Sequence, residues 1–496
     1  MKKLIMALLC LQVSVVFANA KGQKSGPSAK GEGNMNYHIV LKMTGTTDSM
    51  VFLVHYYGTP GPKVYKMDSA RFSNKGVAEF TNWETGFTGG IYLFMLSEKR
   101  STFEFLLNKG DDITVSANEG KTIDGIKFKN SPENERFQDY QQVISAFAKQ
   151  QDSFKAELSE AKTADDTALI RHKSLESVKA LTKYKTEYRK KYPGTLLANI
   201  FGAMETPEVP SGDHFLEDGI TKDSAFAFRY YKSHYWDGVD FHDDRLIYTP
   251  IYDGHLEDYF SRFVVPMPDS MEKECDMLLA KTRGTNDFFH YTLYWLTSYV
   301  ENSKIMGMDE VFVYLVENYY MKGDATWLSS SDLAKYIDRA TKIAPNIIGN
   351  IAPEVSLPNV ITKKQESLQA LKAKYTLVVF YAPTCGHCQH ELPILDSVYE
   401  AVLKDKGVRI FTVATEGDSA AIASFLVKLK TDKKWTNTWD PEHTSNYHNQ
   451  YDVYSTPTIY LLDEKKIIRG KRLDHTNIPG LIDMLENKNK KTAHKS

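Results

Sequence analysis

Hydrophobic positions change their period along this chain, and the changes divide it into regions. From Asn36 to about residue 130 they recur every second residue in short runs. Ile39, Leu41 and Met43 alternate with His38, Val40 and Lys42, and "MVFLVHYYG", "GGIYLFML", "TFEFLLNKGDDITVSA" and "GIKFKN" are apolar stretches bounded by Gly, Asn or Asp. This texture predicts an all-β sandwich or barrel over 35–130, serving as a folding or docking module without chemistry. Ser131-Pro132 then reads as the N-cap and first turn of a helix, because Phe137, Tyr140, Ile144 and Phe147 follow at helical spacing. An α-helical module is expected over 131–345, with a second apolar stripe at Phe289, Leu293, Leu296 and Val300 and breaks near "TPEVPSGDH" and "MGMDE".

The proline-containing stretch "IAPNIIGNIAPEVSLPNV" (343–360) reads as an inter-domain linker. After it come a helix-prone "KKQESLQALKAK", a strand "YTLVVFYA", a helix from Cys385 to about Lys404, and a strand "VRIFTVAT". A helix "SAAIASFLVKLK", a strand and turn at "WTNTWDP", the strands "TPTIYLLDE" and "KIIRGKR", and a closing helix over about 478–487 complete the chain. Strands alternating with helices predict a layered α/β domain over 346–490 with a largely parallel centre, followed by a disordered basic tail at 491–496.

Composition sharpens this outline in two places. At 496 residues the chain is too long for one core, and a formal net charge of -2 argues against nucleic acid as a partner. The N-terminal "MKKLIMALLCLQVSVVFANA" places two lysines before an apolar run ending at Phe17, then Ala18-Asn19-Ala20, the form of a signal-peptide cleavage site. The run is shorter than the ~20 residues of a membrane span, and Leu9 is bulky for a lipidation site at Cys10. A signal peptide over 1–20, cleaved near Ala20, and a flexible tether over 21–34 are therefore expected, with export to the periplasm or cell envelope.

Cleavage would leave Cys275, Cys385 and Cys388, too few for a disulfide framework. Cys275 in "MEKECDMLLAK" reads as a lone helix-borne thiol without a role. The polar cluster His242, Asp243, Asp244, Asp253, His255, Glu257 and Asp258 matches no calcium or zinc spacing and reads as a solvated loop between helices.

The chemistry concentrates in "YAPTCGHCQHELP", residues 381–393. Covalent haem attachment needs His directly after the second Cys, where Gln389 stands. A closed zinc site needs four ligands, and Cys385, Cys388 and His390 leave it one short, so neither metal nor cofactor is expected. Disulfide exchange needs two thiols on the first turn of a helix at the end of a strand, and "TLVVFYAPTCGHC" supplies strand, turn and helix start in that order. Unpaired N–H groups and the helix dipole favour a thiolate on Cys385, the expected nucleophile, while Cys388 on the same face is the expected resolving thiol. His387 either adds positive charge beside that thiolate or is an exposed spacer. Glu391, one turn beyond Cys388, either handles its proton or is a plain surface carboxylate.

"FYAPTCGHC", "ELP" and "STPTIYLLD", the last including Thr456-Pro457 before an apolar strand, resemble the thioredoxin superfamily. Within it, the likeness is to exported TlpA/ResA-type thiol-disulfide oxidoreductases, and it covers about 350–490. The resemblance implies a thioredoxin fold, a redox-active Cys385–Cys388 disulfide and a cis peptide before Pro457. It also implies a client surface formed by Thr456, Pro457, Tyr381 and Pro383, and an active-site role for Glu391. Tyr381 stands where many relatives carry Trp, and Val379 where thioredoxin has a buried Asp, which shifts proton handling toward Glu391. The peroxiredoxin pattern P-x-x-x-T-x-x-C is broken by Ala382. Upstream, "DSARFSNKG", "FEFLLNKGDDITV" and "YYKSHYWDGVDFHDDRLIYTP" resemble the β-rich and helical modules of exported Bacteroidetes thioredoxin-like proteins.

These readings converge on a dithiol enzyme that reduces disulfides of exported proteins and draws electrons from a membrane or periplasmic thiol donor. Disulfide oxidation or isomerisation, and a binding protein with an incidental thiol domain, are the alternatives.

Overall fold

A computed structural model describes residues 35–493 apart from 58–62, 84–85, 97–100 and 120–124. The expected signal peptide and tether, and 494–496 of the expected tail, lie outside the described residues. Contacts divide the chain into two units: one runs to Val265 and includes Asp276–Trp295, and the other comprises Pro266–Cys275 and Leu296 onward.

The first unit begins with eight strands: β1 (Tyr37–Thr44), β2 (Met50–Tyr57), β3 (Lys63–Arg71), β4 (Val77–Asn82), β5 (Gly90–Leu96), β6 (Ser101–Leu107), β7 (Asp111–Asn118) and β8 (Lys127–Lys129). They form two four-stranded sheets, ordered β4-β1-β7-β8 and β3-β2-β5-β6. Every second residue of β1 faces a core shared with the other sheet: Ile39 and Leu41 meet Leu53, Phe94, Phe105 and Val115 there. Helices α1 (Pro132–Glu160), α2 (Ala164–Lys191), α3 (Leu196–Ala203), α4 (Phe226–Ser233) and α5 (Pro250–Arg262) follow. Ser131 is the residue before α1 but caps no backbone N–H. Its hydroxyl instead accepts from Asn134 (2.8 Å), which also accepts from the Leu106 N–H (2.7 Å) and so ties α1 to β6.

The cluster at 242–258 is a solvated turn only at its start, where His242 is exposed, and is helix from Pro250 on. Asp253 and His255 lie on α5 and are each 4% exposed. Asp253 accepts from the Tyr291 hydroxyl (3.1 Å) and the Trp295 indole (3.0 Å), and burial pushes its carboxyl up to about 6. Burial lowers the His255 imidazole to about 4. Counting polar residues hid the aromatic positions between them, which turn this face inward.

Helices α6 (Pro268–Thr282) and α7 (Asn286–Glu301) each contribute to both units. Cys275 on α6 is fully buried. The second unit continues with α8 (Met308–Leu315) and α9 (Ser330–Ile343), then β9 (Ser356–Pro358), β10 (Gln365–Ser367), β11 (Tyr375–Tyr381), α10 (Gly386–Val398), β12 (Val408–Ala414), α11 (Ser419–Leu429), β13 (Thr436–Trp439), α12 (Tyr447–Gln450), β14 (Thr458–Asp463), β15 (Ile468–Lys471) and α13 (Ile478–Ala493). The five-stranded sheet runs β13-β12-β11-β14-β15. Its first three strands are parallel, β14 pairs antiparallel with β11, and β15 pairs antiparallel with β14.

Both faces of β11 are covered, so the whole strand is buried and its sequence is a continuous apolar run. Leu377, Val379 and Tyr381 face α10, while Val378 and Phe380 face Tyr447 and Tyr451. Leu377→Ala opens a hole in a site that is 0% exposed. It should cost about 2–5 kcal/mol, read as a lowered thermal midpoint.

Three local expectations give way to tertiary context. Residues 363–374 do not form a helix: β10 pairs antiparallel with β9, and Leu368 is fully buried, so pairing and burial override helix propensity. The stretch 343–360 is not a free linker, since Ala352, Val355, Leu357 and Val360 are all buried. Helix α13 runs on to Ala493, past the expected end near 487 and into the expected tail. No helix among the described residues is long and apolar enough to cross a membrane.

Candidate functional site: a dithiol at a helix N-terminus

Strand β11 ends at Tyr381, and Ala382-Pro383-Thr384 turn the chain into α10. The turn closes on the Cys385 N–H to Ala382 carbonyl bond (3.1 Å), and the Gln389 side chain donates to the Pro383 carbonyl (2.9 Å). Cys385 is thereby the N-cap residue of α10, with extended backbone and no side-chain cap, and Cys388 lies in the first turn. Both are free thiols in this structure.

Their surroundings differ sharply. Cys385 is partly exposed and its thiol donates to the Thr456 carbonyl (3.2 Å). Hydrogen bonding from the Thr456 side chain and then from the Cys388 N–H holds the Cys385 thiol below the ordinary value, with smaller help from the Cys388 thiol and the His387 N–H. Cys388 is 0% exposed, and burial pushes its thiol up to about 11. The arrangement can therefore hold a thiolate at the surface and a neutral thiol three residues on, beneath it.

The raised Cys388 value also ties stability to pH. Cys388 binds its proton more tightly folded than unfolded, so its contribution is fully present below the free-thiol range of about 8.5 and is lost as pH rises through about 11. The thermal midpoint of the reduced protein should fall over that window, and the fall should be smaller in Cys388→Ala.

The Thr456–Pro457 peptide is cis, and both residues are partly exposed beside the thiols. Thr384, exposed next to Cys385, donates to Glu416 (3.2 Å). His387 is exposed on the first turn. Tyr381 and Pro383, expected at the client surface, are buried. Tyr381 is 0% exposed and stacks on Phe425 at 5.7 Å, in the core that also holds Cys388, so it underlies the dithiol instead of meeting solvent. Glu391 is no plain surface carboxylate. Its side chain is 14% exposed and accepts from the His475 N–H (2.7 Å) and pairs with His475 Nδ1 (2.8 Å). Nothing near His475 in sequence marks it, because the pairing joins the loop after β15 to α10 across 84 positions. Among the described residues no group of three or more His, Cys, Asp or Glu is placed to hold a metal.

A Cys-x-x-Cys pair at a helix N-terminus, against a cis-proline loop at the end of a mixed five-stranded sheet, defines a thioredoxin-fold dithiol centre. Comparison with known proteins agrees. Residues 348–471 match the AhpC/TSA family, and residues 177–346 match a domain of unknown function, DUF5106. The chain is 28% identical over 136 residues to the thiol:disulfide interchange protein DsbE of Pseudomonas fluorescens, covering 27% of this chain and 71% of that one. It is 30% identical over 126 residues to the thioredoxin-like protein YneN of Bacillus subtilis, covering 24% and 68%. To the thiol-disulfide oxidoreductase ResA of Oceanobacillus iheyensis it is 26% identical over 132 residues, covering 25% and 65%. The chain belongs to the thioredoxin-like thiol-disulfide oxidoreductases.

Proposed function

We propose that this protein is exported and reduces disulfides in other exported proteins, with Cys385 as the attacking thiol and Cys388 as the resolving one. The observation that carries the reading is the pairing of a partly exposed thiol, Cys385, whose pKa is lowered, with a buried one, Cys388, whose pKa is raised. The Cys385 thiolate attacks one sulfur of a client disulfide, forming a mixed disulfide and expelling the other client sulfur as a thiolate. Cys388 then gives up its proton and attacks Cys385 Sγ, which releases the second client thiolate and leaves a Cys385–Cys388 disulfide. Two electrons have passed to the client, and an exported or membrane thiol donor returns them.

Thr456 and Pro457 border the thiol and form the docking edge. Glu391, held by His475, receives the Cys388 proton in the second step. Glu391→Gln should therefore slow decay of a mixed disulfide by about tenfold or more, measured by rapid acid quench with a disulfide-bonded peptide, and leave the first attack unchanged.

Direction is argued from two sides. Protein disulfide isomerase shares the CGHC tetrapeptide and lies roughly 90 mV above thioredoxin, which favours oxidation or isomerisation, whereas the TlpA/ResA likeness favours reduction. Equilibration with a glutathione redox buffer decides it, a reductant lying near the thioredoxin end. Export rests on Lys2, Lys3, the apolar run to Phe17 and Ala18-Asn19-Ala20. N-terminal sequencing of the protein from the cell envelope should read from Lys21.

A further inference from the structure

The region of unknown function reaches the thiol centre within the second unit. Helix α9, inside the segment 177–346, packs beside the loop that links α12 to the cis-proline. Asp452 in that loop has a left-handed backbone, with φ 51°, and a side chain 1% exposed. Such a conformation disfavours a residue with a Cβ, and such burial disfavours a lone carboxylate, so both depend on partners. Asp452 has two: Arg339 of α9 and Arg472 after β15, the latter at 3.0 Å.

Arg339 also lies over the ring of Tyr454, 4.9 Å from its centre, with Lys342 Nζ 5.9 Å away. Asn346, just past α9 and 0% exposed, donates to the Gln450 carbonyl at 3.0 Å. Four residues beyond Asp452 the same loop presents Thr456, whose carbonyl accepts from the Cys385 thiol and whose side-chain hydrogen bond is the leading cause that holds that thiol below its ordinary value. The path from α9 to the exposed thiol is therefore one short loop gripped at Gln450, Asp452 and Tyr454. The sequence alone marks α9 only as part of the helical module expected over 131–345.

We propose that Arg339 and Lys342 are positioning residues for thiol exchange, holding Asp452 and Tyr454 so that Thr456 stays against Cys385. The region of unknown function would then be part of the redox site and not only a spacer. This rests on Cys385 being the attacking thiol. The groups facing the loop and thiol are Arg339 and Lys342 from α9, Arg472 after β15, His448 of α12 against the Val453 carbonyl, Tyr460 of β14 against the Tyr451 carbonyl, and His387 and Cys388 from α10. Glu416 bears on the site through Thr384, and the Glu391–His475 pair lies further along α10.

The test uses the full chain with Arg339→Ala, Arg339→Lys, Tyr454→Ala and, as a control, Lys335→Ala, an exposed residue of α9 paired with Asp332. Two quantities are read: the pH midpoint of Cys385 alkylation by iodoacetamide, and kcat and KM for dithiothreitol-driven insulin reduction. In Arg339→Ala the midpoint should move up toward that of a free thiol and kcat/KM should fall about tenfold. Arg339→Lys should recover part of both, Tyr454→Ala should shift the midpoint less, and Lys335→Ala should match wild type. Destabilisation alone would lower the melting temperature without moving the midpoint of the folded protein. A folded Arg339→Ala with wild-type midpoint and kcat/KM overturns the proposal. Should that variant not fold, an unmoved midpoint in Tyr454→Ala, whose residue is 65% exposed, overturns it instead. A wild type no faster than Cys385→Ser would sink the oxidoreductase reading itself and this inference with it, an outcome the insulin assay separates from the others.

Discussion

Cys385→Ser is expected to reduce catalysed insulin reduction to the rate of dithiothreitol alone, a loss of about a thousandfold or more in kcat/KM. The size follows from the site. Cys385 is the partly exposed thiol, it sits at the N-cap of α10, and its acidity is raised by hydrogen bonds aimed at the sulfur. A serine hydroxyl in the same place stays protonated at neutral pH and is a far weaker nucleophile toward a disulfide sulfur. Cys388 is fully buried and holds its proton to about 11, so it is poorly placed to substitute. Equal rates for wild type and Cys385→Ser would rule out the enzyme reading and favour a binding protein in which the upstream modules recognise the partner. Alkylation of the same protein gives a second check, since the Cys385 midpoint should lie below that of a free thiol, about 8.5.

The second large effect is expected at Cys388. With Cys388→Ala the first attack remains and the second is gone, so turnover should fall to background while mixed disulfides through Cys385 accumulate. The replacement is mild for the fold, because a small buried side chain is exchanged for a smaller one. Expressed in the native cell envelope and resolved on non-reducing gels, Cys388→Ala should carry exported proteins that dithiothreitol releases. Recovery of no adduct, with Cys385 still alkylatable, would count against client reduction. The same variant serves as the control for the pH dependence of stability, since it removes the contribution of the buried thiol and leaves that of the buried tyrosines, Tyr248 and Tyr447 among them.

The placement of the two thiols at a helix start and of Thr456–Pro457 at the head of a strand was legible because each announces itself locally. A strand, a turn and a Cys-x-x-Cys helix start are contiguous in the chain, and a proline, lacking an N–H for the ladder, is confined within a sheet to places such as the head of a strand. Tyr381 was misread because it adjoins the motif in sequence, while it ends a strand covered on both faces and lies in the core under α10. Glu391 was visible as one turn beyond Cys388, yet its partner His475 was not, because the pair closes only when the loop after β15 packs on α10. The helix expected at 363–374 failed for the same reason in reverse, its propensity being overruled by pairing with β9.

By itself, then, the sequence determined the order of β, helical and α/β regions, the position of the Cys-x-x-Cys pair at a helix start and the likeness to thiol-disulfide oxidoreductases. These rest on local periodicity and on motifs whose spacing is set by one turn of helix. Only the tertiary structure decided which thiol is exposed and which is buried, that Glu391 is held by His475, and that α9 grips the loop carrying Thr456. Those are matters of burial and of charges brought together from distant positions, and desolvation and pairing act on neighbours in space, which the order of residues does not reveal.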